Sequence, residues 1–130
     1  MNRERFLQAC DQVIEEQWRY ANNLDTWDDA FELKYVKDRI DEIERARSYA
    51  IERWFEGEAL WEVMAETEHD YICVQGQIDY MDRNEPTDEE ELRFHQELEC
   101  TVWREYYKLR NELICLRVIS EFLEEGTIMC

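Results

Sequence analysis

The sequence has little proline or glycine, and no stretch alternates apolar and polar residues for the length of a β-strand. One proline and three glycines in 130 residues leave few breaks in the chain. Its apolar residues repeat instead at intervals of three and four, which is typical of helices with one buried face. We therefore expect an all-α fold: a compact bundle of about four helices with a long C-terminal helix.

Long apolar runs are also missing, since the longest uncharged stretch covers only residues 71–78. The N-terminus has no apolar signal segment, and neither region predicts a membrane span. A hydrophobic content of 45%, with 13% aromatic residues, argues against disorder despite the high charge. We expect a single acidic helical domain over residues 1–130, soluble and cytoplasmic, or in the host cytoplasm if the protein is viral.

The five cysteines include no C-x-x-C pair, and their odd number favours a reducing compartment. Cys10, Cys73, Cys100 and Cys115 lie within apolar patterns, so we expect them to be small apolar residues of the core. Cys130, at the chain end, is expected to be an exposed thiol.

Sequence features of catalysis are scarce, because the chain has two histidines, no glycine-rich phosphate loop and no zinc-ligand spacing. We expect no enzymatic activity and no cofactor. Glu66 and His69 form one Glu-x-x-His pair, the spacing used by ferritin-like di-iron bundles. Such a site needs the pair twice, whereas His95 follows Glu91 by four residues. A ferritin-like carboxylate metal protein is therefore an alternative, and not the main hypothesis.

Basic residues are few compared with acidic ones: 15 Lys and Arg against 33 Asp and Glu give a net charge of −18. A surface this acidic argues against direct binding to nucleic acid or to an anionic membrane, because both require basic residues. The expected partner is itself basic.

Helix boundaries can be placed from capping signals. Helix 1 should cover residues 3–21, and helix 2 should begin near Trp27 after a cap at Asp25 or Thr26. We place a break near Gly57, although one helix continuing through it is the alternative.

Further along the chain, residues 83–86 form a predicted turn. Thr87 and Glu90 form a capping box for a helix 4 that begins at Asp88. Gly126 is the predicted C-terminal boundary of that helix.

The buried face of helix 2 should contain Val36, Ile40, Ile43, Ala50 and Trp54. In helix 3 it should contain Trp61, Met64, Ala65, Ile72, Ile78 and Met81. Helix 4 has a wider apolar surface, with one face made of Leu92, Val102, Tyr106, Leu109, Leu113, Leu116 and Leu123 and a second made of Trp103, Tyr107, Ile114 and Val118. Either the other helices or a second copy of the chain cover it. Four aromatic residues lie outside the most regular of these stripes: Trp27, Phe55, Tyr80 and Tyr107. We expect them in the core, with an exposed role as interface anchors as the alternative.

The acidic residues are concentrated in one stretch, since residues 56–91 contain thirteen carboxylates and a single basic residue, Arg83. Four of them recur every fourth residue, which on a helix places like charges side by side at a cost of about 0.2–0.5 kcal/mol per pair. We name this set the acidic ridge; it consists of Glu58, Glu62, Glu66 and Asp70. The six acids from Glu56 to Asp70 give about one charge per 3–4 Å of helix axis, close to the charge density of one DNA strand.

A second acidic cluster, at residues 88–91, falls in the first turn of helix 4, where carboxylates complement the helix dipole. It extends the anionic surface if it lies near the ridge, and the sequence leaves open whether all the acids form one patch. The predicted partner-binding residues are Glu56, Glu58, Glu62, Glu66, Asp70, Glu85, Asp88, Glu89 and Glu91.

The sequence therefore predicts a non-enzymatic acidic protein that binds and inhibits a basic nucleic-acid-binding protein, by presenting carboxylates where phosphates would lie. Anti-CRISPR-like and other phage anti-defence proteins, and immunity proteins of nuclease toxins, act in this physical way, although no family motif places the chain among them. The alternative is a structural or assembly protein that forms a helical homodimer, with the acids providing solubility.

Overall fold

The computed structural model describes residues 2–84 and 87–128, and side chains as far as residue 124. It contains four helices, and no strand occurs in the described residues: α1 (Arg3–Asn22), α2 (Ala30–Glu52), α3 (Gly57–Arg83) and α4 (Glu89–Ile128). The all-α class, the four helices and the long C-terminal helix are confirmed. Within the described residues, no helix is both long and apolar enough to cross a membrane.

The connection between α1 and α2 is longer than predicted. The Asp25 carboxylate accepts hydrogen bonds from the backbone N–H groups of Trp27 (2.7 Å) and Asp28 (3.1 Å). These bonds lower the pKa of the Asp25 carboxyl group. They also close a separate turn between α1 and α2. The prediction that α2 begins near Trp27 is therefore wrong, since the capped segment is this turn and the helix begins at Ala30.

The predicted break between α2 and α3 is confirmed. Residues 53–56 are not helical, and Gly57 has a φ of 61°, in the left-handed region that glycine adopts without strain. The side chain of Trp54 lies in this connection and packs on Phe6, with 5.4 Å between the ring centroids.

Asp88, and not Thr87, caps α4. Its carboxylate accepts a hydrogen bond from the backbone N–H of Glu91 at 2.7 Å, so the cap lies one residue later than predicted. At its other end α4 continues through Gly126, which does not end it as predicted. Glu85, Pro86 and Cys130 lie outside the described residues.

The contacts divide the chain into two units. The first contains the chain up to Trp61 and the chain from Ile114 onward. Its core contains Phe6, whose ring lies 5.4 Å from that of Phe122, and the predicted seam of α2. An Arg47–Asp11 ion pair of 2.7 Å joins α1 to α2.

The second unit runs from Glu62 to Leu113. Tyr71 contacts Tyr106, whereas the later Met81 lines a groove with the earlier Leu98, so α3 and α4 run antiparallel. Near the middle of this unit the rings of Tyr71 and Tyr106 stack at 5.2 Å, and their hydroxyls lie 3.1 Å apart. The apolar core around them is lined by Val74, Ile78, Met81, Val102 and Leu109. The expectation of a single domain stays a prediction.

The predicted buried face of α3 is wrong in part. Trp61, Ala65 and Ile72 are exposed, with 73% of Trp61 accessible, whereas Ile78 and Met81 are buried. The buried positions recur at a seven-residue interval: Leu60, Thr67, Val74 and Met81. Seven-residue spacing is the pattern of helices that pack along one another. The polar Thr67 occupies a seam position, which concealed the seam in the sequence.

Two glycine substitutions should have opposite effects on the free energy of unfolding. Gly57→Ala should destabilise the protein by about 1–2 kcal/mol, because an L-residue is strained in the left-handed region. Gly76→Ala lies within α3, where an added Cβ would meet nothing within 4 Å, and should stabilise by about 0.5–1 kcal/mol. Urea denaturation of both variants checks this pair. Equal effects would contradict the left-handed turn at Gly57.

Candidate interaction surface

The acidic ridge lies on α3 as the sequence predicts, with all four of its side chains exposed. Among the described residues, no Lys, Arg or His forms an ion pair with Glu58, Glu62, Glu66 or Asp70. Within the part of the chain that the structure describes, these four carboxylates therefore have no cationic side chain beside them.

Several carboxylates of α1 and α2 form ion pairs, although Asp38, Glu44 and Glu52 have none among the described residues. Within α2, Arg45 pairs with Asp41 at 2.9 Å and Arg39 pairs with Glu42 at 3.2 Å. Between the two helices, hydrogen bonding to Asp11 raises the pKa of Arg47. The ridge carboxylates of α3 thus differ from Asp11, Asp41 and Glu42, each of which has an arginine beside it.

The other predicted partner-binding residues have mixed positions. Glu56 precedes α3 and accepts a hydrogen bond from the indole N–H of Trp54 at 3.0 Å. Asp88 is occupied as the cap of α4. Glu89 and Glu91 are exposed in the first turn of α4, and Glu85 lies outside the described residues.

Asp70 and the acids of the first turn of α4 lie far apart along the helices. Asp70 lies thirteen residues before Arg83, the last residue of α3, which corresponds to about 20 Å along the helix axis. The acids that begin α4 lie beyond that end of α3, because the two helices run antiparallel and are joined there. The ridge and the residue 88–91 cluster therefore lie at different levels along α3 and α4.

An apolar groove continues the ridge along α3. It has a volume of about 510 Å³ and is lined by Cys73, Gly76, Gln77, Tyr80 and Met81 from α3 and by Leu98 and Val102 from α4. We name this the α3–α4 groove. Tyr80 is 69% exposed and Leu98 is 42% exposed at its edge, so the groove is open to solvent.

The ridge and the groove share one face of α3. Glu66, Asp70, Cys73 and Gln77 follow one another at intervals of four, three and four residues, the spacing that aligns side chains on a helix. On the opposite wall the exposed Glu105 lies seven residues after Leu98, on the same face of α4. Carboxylates therefore flank an apolar depression.

The four cysteines that the structure describes divide into two pairs. Cys10 and Cys115 are buried as predicted, but Cys73 and Cys100 are exposed, so their predicted core roles are wrong. Cys73 Sγ lies 3.7 Å from Nε2 of His69, one turn earlier on α3. Burial raises the pKa of the Cys10 thiol to about 12, with the neighbouring Arg47 acting in the opposite direction.

Three of the four aromatic residues predicted for the core are exposed: Trp27, Tyr80 and Tyr107, whereas Phe55 is half-buried. Trp27 begins a series that continues with Phe31 and Tyr35 at four-residue spacing, 89%, 94% and 73% exposed respectively. We name these three residues the aromatic stripe.

Sequence reasoning missed Phe31 and Tyr35. Each precedes a buried residue of α2, Val36 and Ile40 respectively, by five positions. Five residues correspond to about 140° of helix rotation, which points the two aromatic side chains away from the seam. A helical-wheel comparison with the predicted seam could have found them.

Glu66 and His69 belong to no larger cluster of metal-ligand side chains among the described residues. Where the structure is described, no three His, Cys, Asp or Glu side chains cluster so as to hold a metal ion. Nε2 of His95 instead lies 4.0 Å from Oε2 of Glu99, and both residues are on α4.

Comparisons with known proteins identify no relative. No protein-family model matches the chain, and neither a curated protein nor a solved structure is significantly similar to it. Functional inference therefore depends on the residues and surfaces described above.

The cysteines should differ sharply in reactivity. At pH 8, iodoacetamide should alkylate Cys73 and Cys100 readily and leave Cys10 unmodified, because the Cys10 thiol stays protonated until the pH approaches its raised pKa. Peptide mass spectrometry measures the modification at each position. In denaturant all three should react, and modification of Cys10 in the native protein at the rate seen for Cys73 would contradict its burial.

Proposed function

We propose that this protein is a non-enzymatic inhibitor that binds a basic, nucleic-acid-binding protein through the acidic ridge of α3. The observation that carries the proposal is the exposure of Glu62, Glu66 and Asp70 at four-residue spacing with no cation paired to them among the described residues. Such carboxylates repel one another, and a cationic partner relieves that repulsion.

The charge density supports a nucleic-acid-like mode of binding. Consecutive ridge carboxylates are separated by about 6 Å along the axis, within a factor of two of the roughly 3.4 Å per phosphate along one DNA strand. A groove that binds phosphates through Lys and Arg would meet a comparable row of negative oxygens. Occupation of that groove would exclude the nucleic acid.

Reversal of the ridge charges tests this function. Glu62, Glu66 and Asp70 changed together to Lys should weaken binding to the basic partner by at least about tenfold, because each lost attraction is worth up to about 1 kcal/mol and is replaced by repulsion. The partner is first captured from host lysate, released with a salt gradient, and then titrated against purified variants.

The matched control changes Asp38, Glu44 and Glu52, three exposed carboxylates of α2, to Lys. It alters the net charge equally, so it should retain most of the affinity if position matters more than total charge. Equal weakening of binding by both variants would mean that the total charge of the protein, and not the position of the ridge, determines the affinity. Capture of no basic protein, or undiminished binding by the ridge variant, would remove the ridge from the function.

A structural or assembly role as a homodimer is the second candidate, and the aromatic stripe favours it. The wide apolar face of α4 is less available for this role than the sequence suggests, since Val118 is 1% exposed within the single chain. Trp27, Phe31 and Tyr35 remain as large exposed side chains of the type that anchors interfaces.

If the stripe joins two copies, Phe31→Ala should weaken self-association by about tenfold or more, the loss expected of an interface anchor. Sedimentation equilibrium over a range of protein concentrations measures it, with the exposed Ile51, at the other end of α2, changed to Ala as the control. A wild-type protein that stays monomeric at high micromolar concentration would exclude this role.

A further inference from the structure

We infer that the α3–α4 groove is the docking site for a basic amphipathic helix of the partner protein, with one large apolar side chain seated between Gly76 and Leu98. The inference rests on the proposed function, because it names the part of the partner that the ridge would attract. It adds an apolar anchor to what was otherwise a purely electrostatic surface.

The shape of the groove suits a single bulky anchor. Most of its lining is apolar, and Gly76 contributes no side chain to that lining. A Cβ added at Gly76 would meet nothing within 4 Å, so the space above this glycine is free. A Leu, Phe or Trp from a partner would cover the exposed sides of Tyr80 and Leu98 while its own apolar surface leaves water.

The charges around the groove select a basic occupant. Glu66 and Asp70 precede Cys73 on the same face of α3, and Glu105 flanks the groove from α4. Because side chains four residues apart on a helix lie about 5–6 Å from one another, Lys or Arg at matching spacing on a docked helix can meet this row in register. An acidic or neutral helix would leave the carboxylates unpaired beside it.

A helix fits this surface better than an extended peptide or a nucleic acid. The backbone groups of α3 and α4 are used within the helices, so they offer no sheet edge to which a strand could add. Nucleic acid would be repelled by the ridge carboxylates. Recognition must therefore come from side chains, as in the docking of a helix into a groove.

Two synthetic helical peptides of about 20 residues provide the probe. One has Lys at every fourth position and a Trp in the same face, and the other is identical except that Gln replaces the Trp. The Trp peptide should bind the wild-type protein at least about tenfold more tightly by fluorescence anisotropy. Gly76→Phe, which fills the groove without changing any charge, should remove that difference, whereas Gly76→Ala should preserve it.

Protection of Cys73 reports occupation of the groove directly. The bound Trp peptide should slow alkylation of Cys73, which lines the groove, and leave the exposed Cys100, which does not, as an internal reference. Equal affinity of the two peptides, or Trp-peptide binding insensitive to Gly76→Phe, would overturn the docking site. In that case the proposed binding role of the ridge would still hold if charge reversal at Glu62, Glu66 and Asp70 abolished binding of the Gln peptide. Failure of both peptides to bind would overturn both the groove and the ridge.

Discussion

The apolar seam of α4 has to be buried from Val102 to Phe122, and this requirement organises the fold. Val102, Leu109 and Leu116 recur every seven residues and are all buried. In the second unit the covering helix is α3, and after Ile114 the same seam contributes to the core of the first unit, where Leu116 and Ile119 are fully buried. Each fully buried aliphatic side chain contributes about 1.5–3 kcal/mol, so these contacts outweigh the local costs discussed next.

For this reason the fold tolerates the repulsion among the unpaired ridge carboxylates. Three adjacent like-charged pairs from Glu58 to Asp70 cost about 1 kcal/mol in total, which is less than the burial of one leucine provides. On α1 and α2 the chain shows that it can place Arg beside Asp, as in Arg47 with Asp11. Among the described residues the ridge has no such pairing. This lack of pairing is therefore a property of this helix face, and not of the composition as a whole.

The sequence predicted the features that depend on local signals and missed those that depend on packing between helices. Helix existence and the break at Gly57 followed from local spacing and from glycine's backbone freedom, and the structure confirms both. The face of α3 was predicted wrongly because Thr67 occupies the seam while Trp61 is exposed, and only packing against α4 decides which stripe is covered. The groove could not be predicted at all, since it requires the register of Tyr80 against Leu98 across two helices.

Ridge and groove would contribute to different stages of binding. Exposed carboxylates act over about 8 Å at physiological salt, so they accelerate the encounter with a basic partner and are weakened as salt rises. An anchor beside Gly76 acts only after contact, and its burial slows dissociation without dependence on salt. A surface made of acids alone would attract many basic proteins, because charge at this range carries little shape information. The apolar depression next to Asp70 is the feature that would let the protein retain one partner among them.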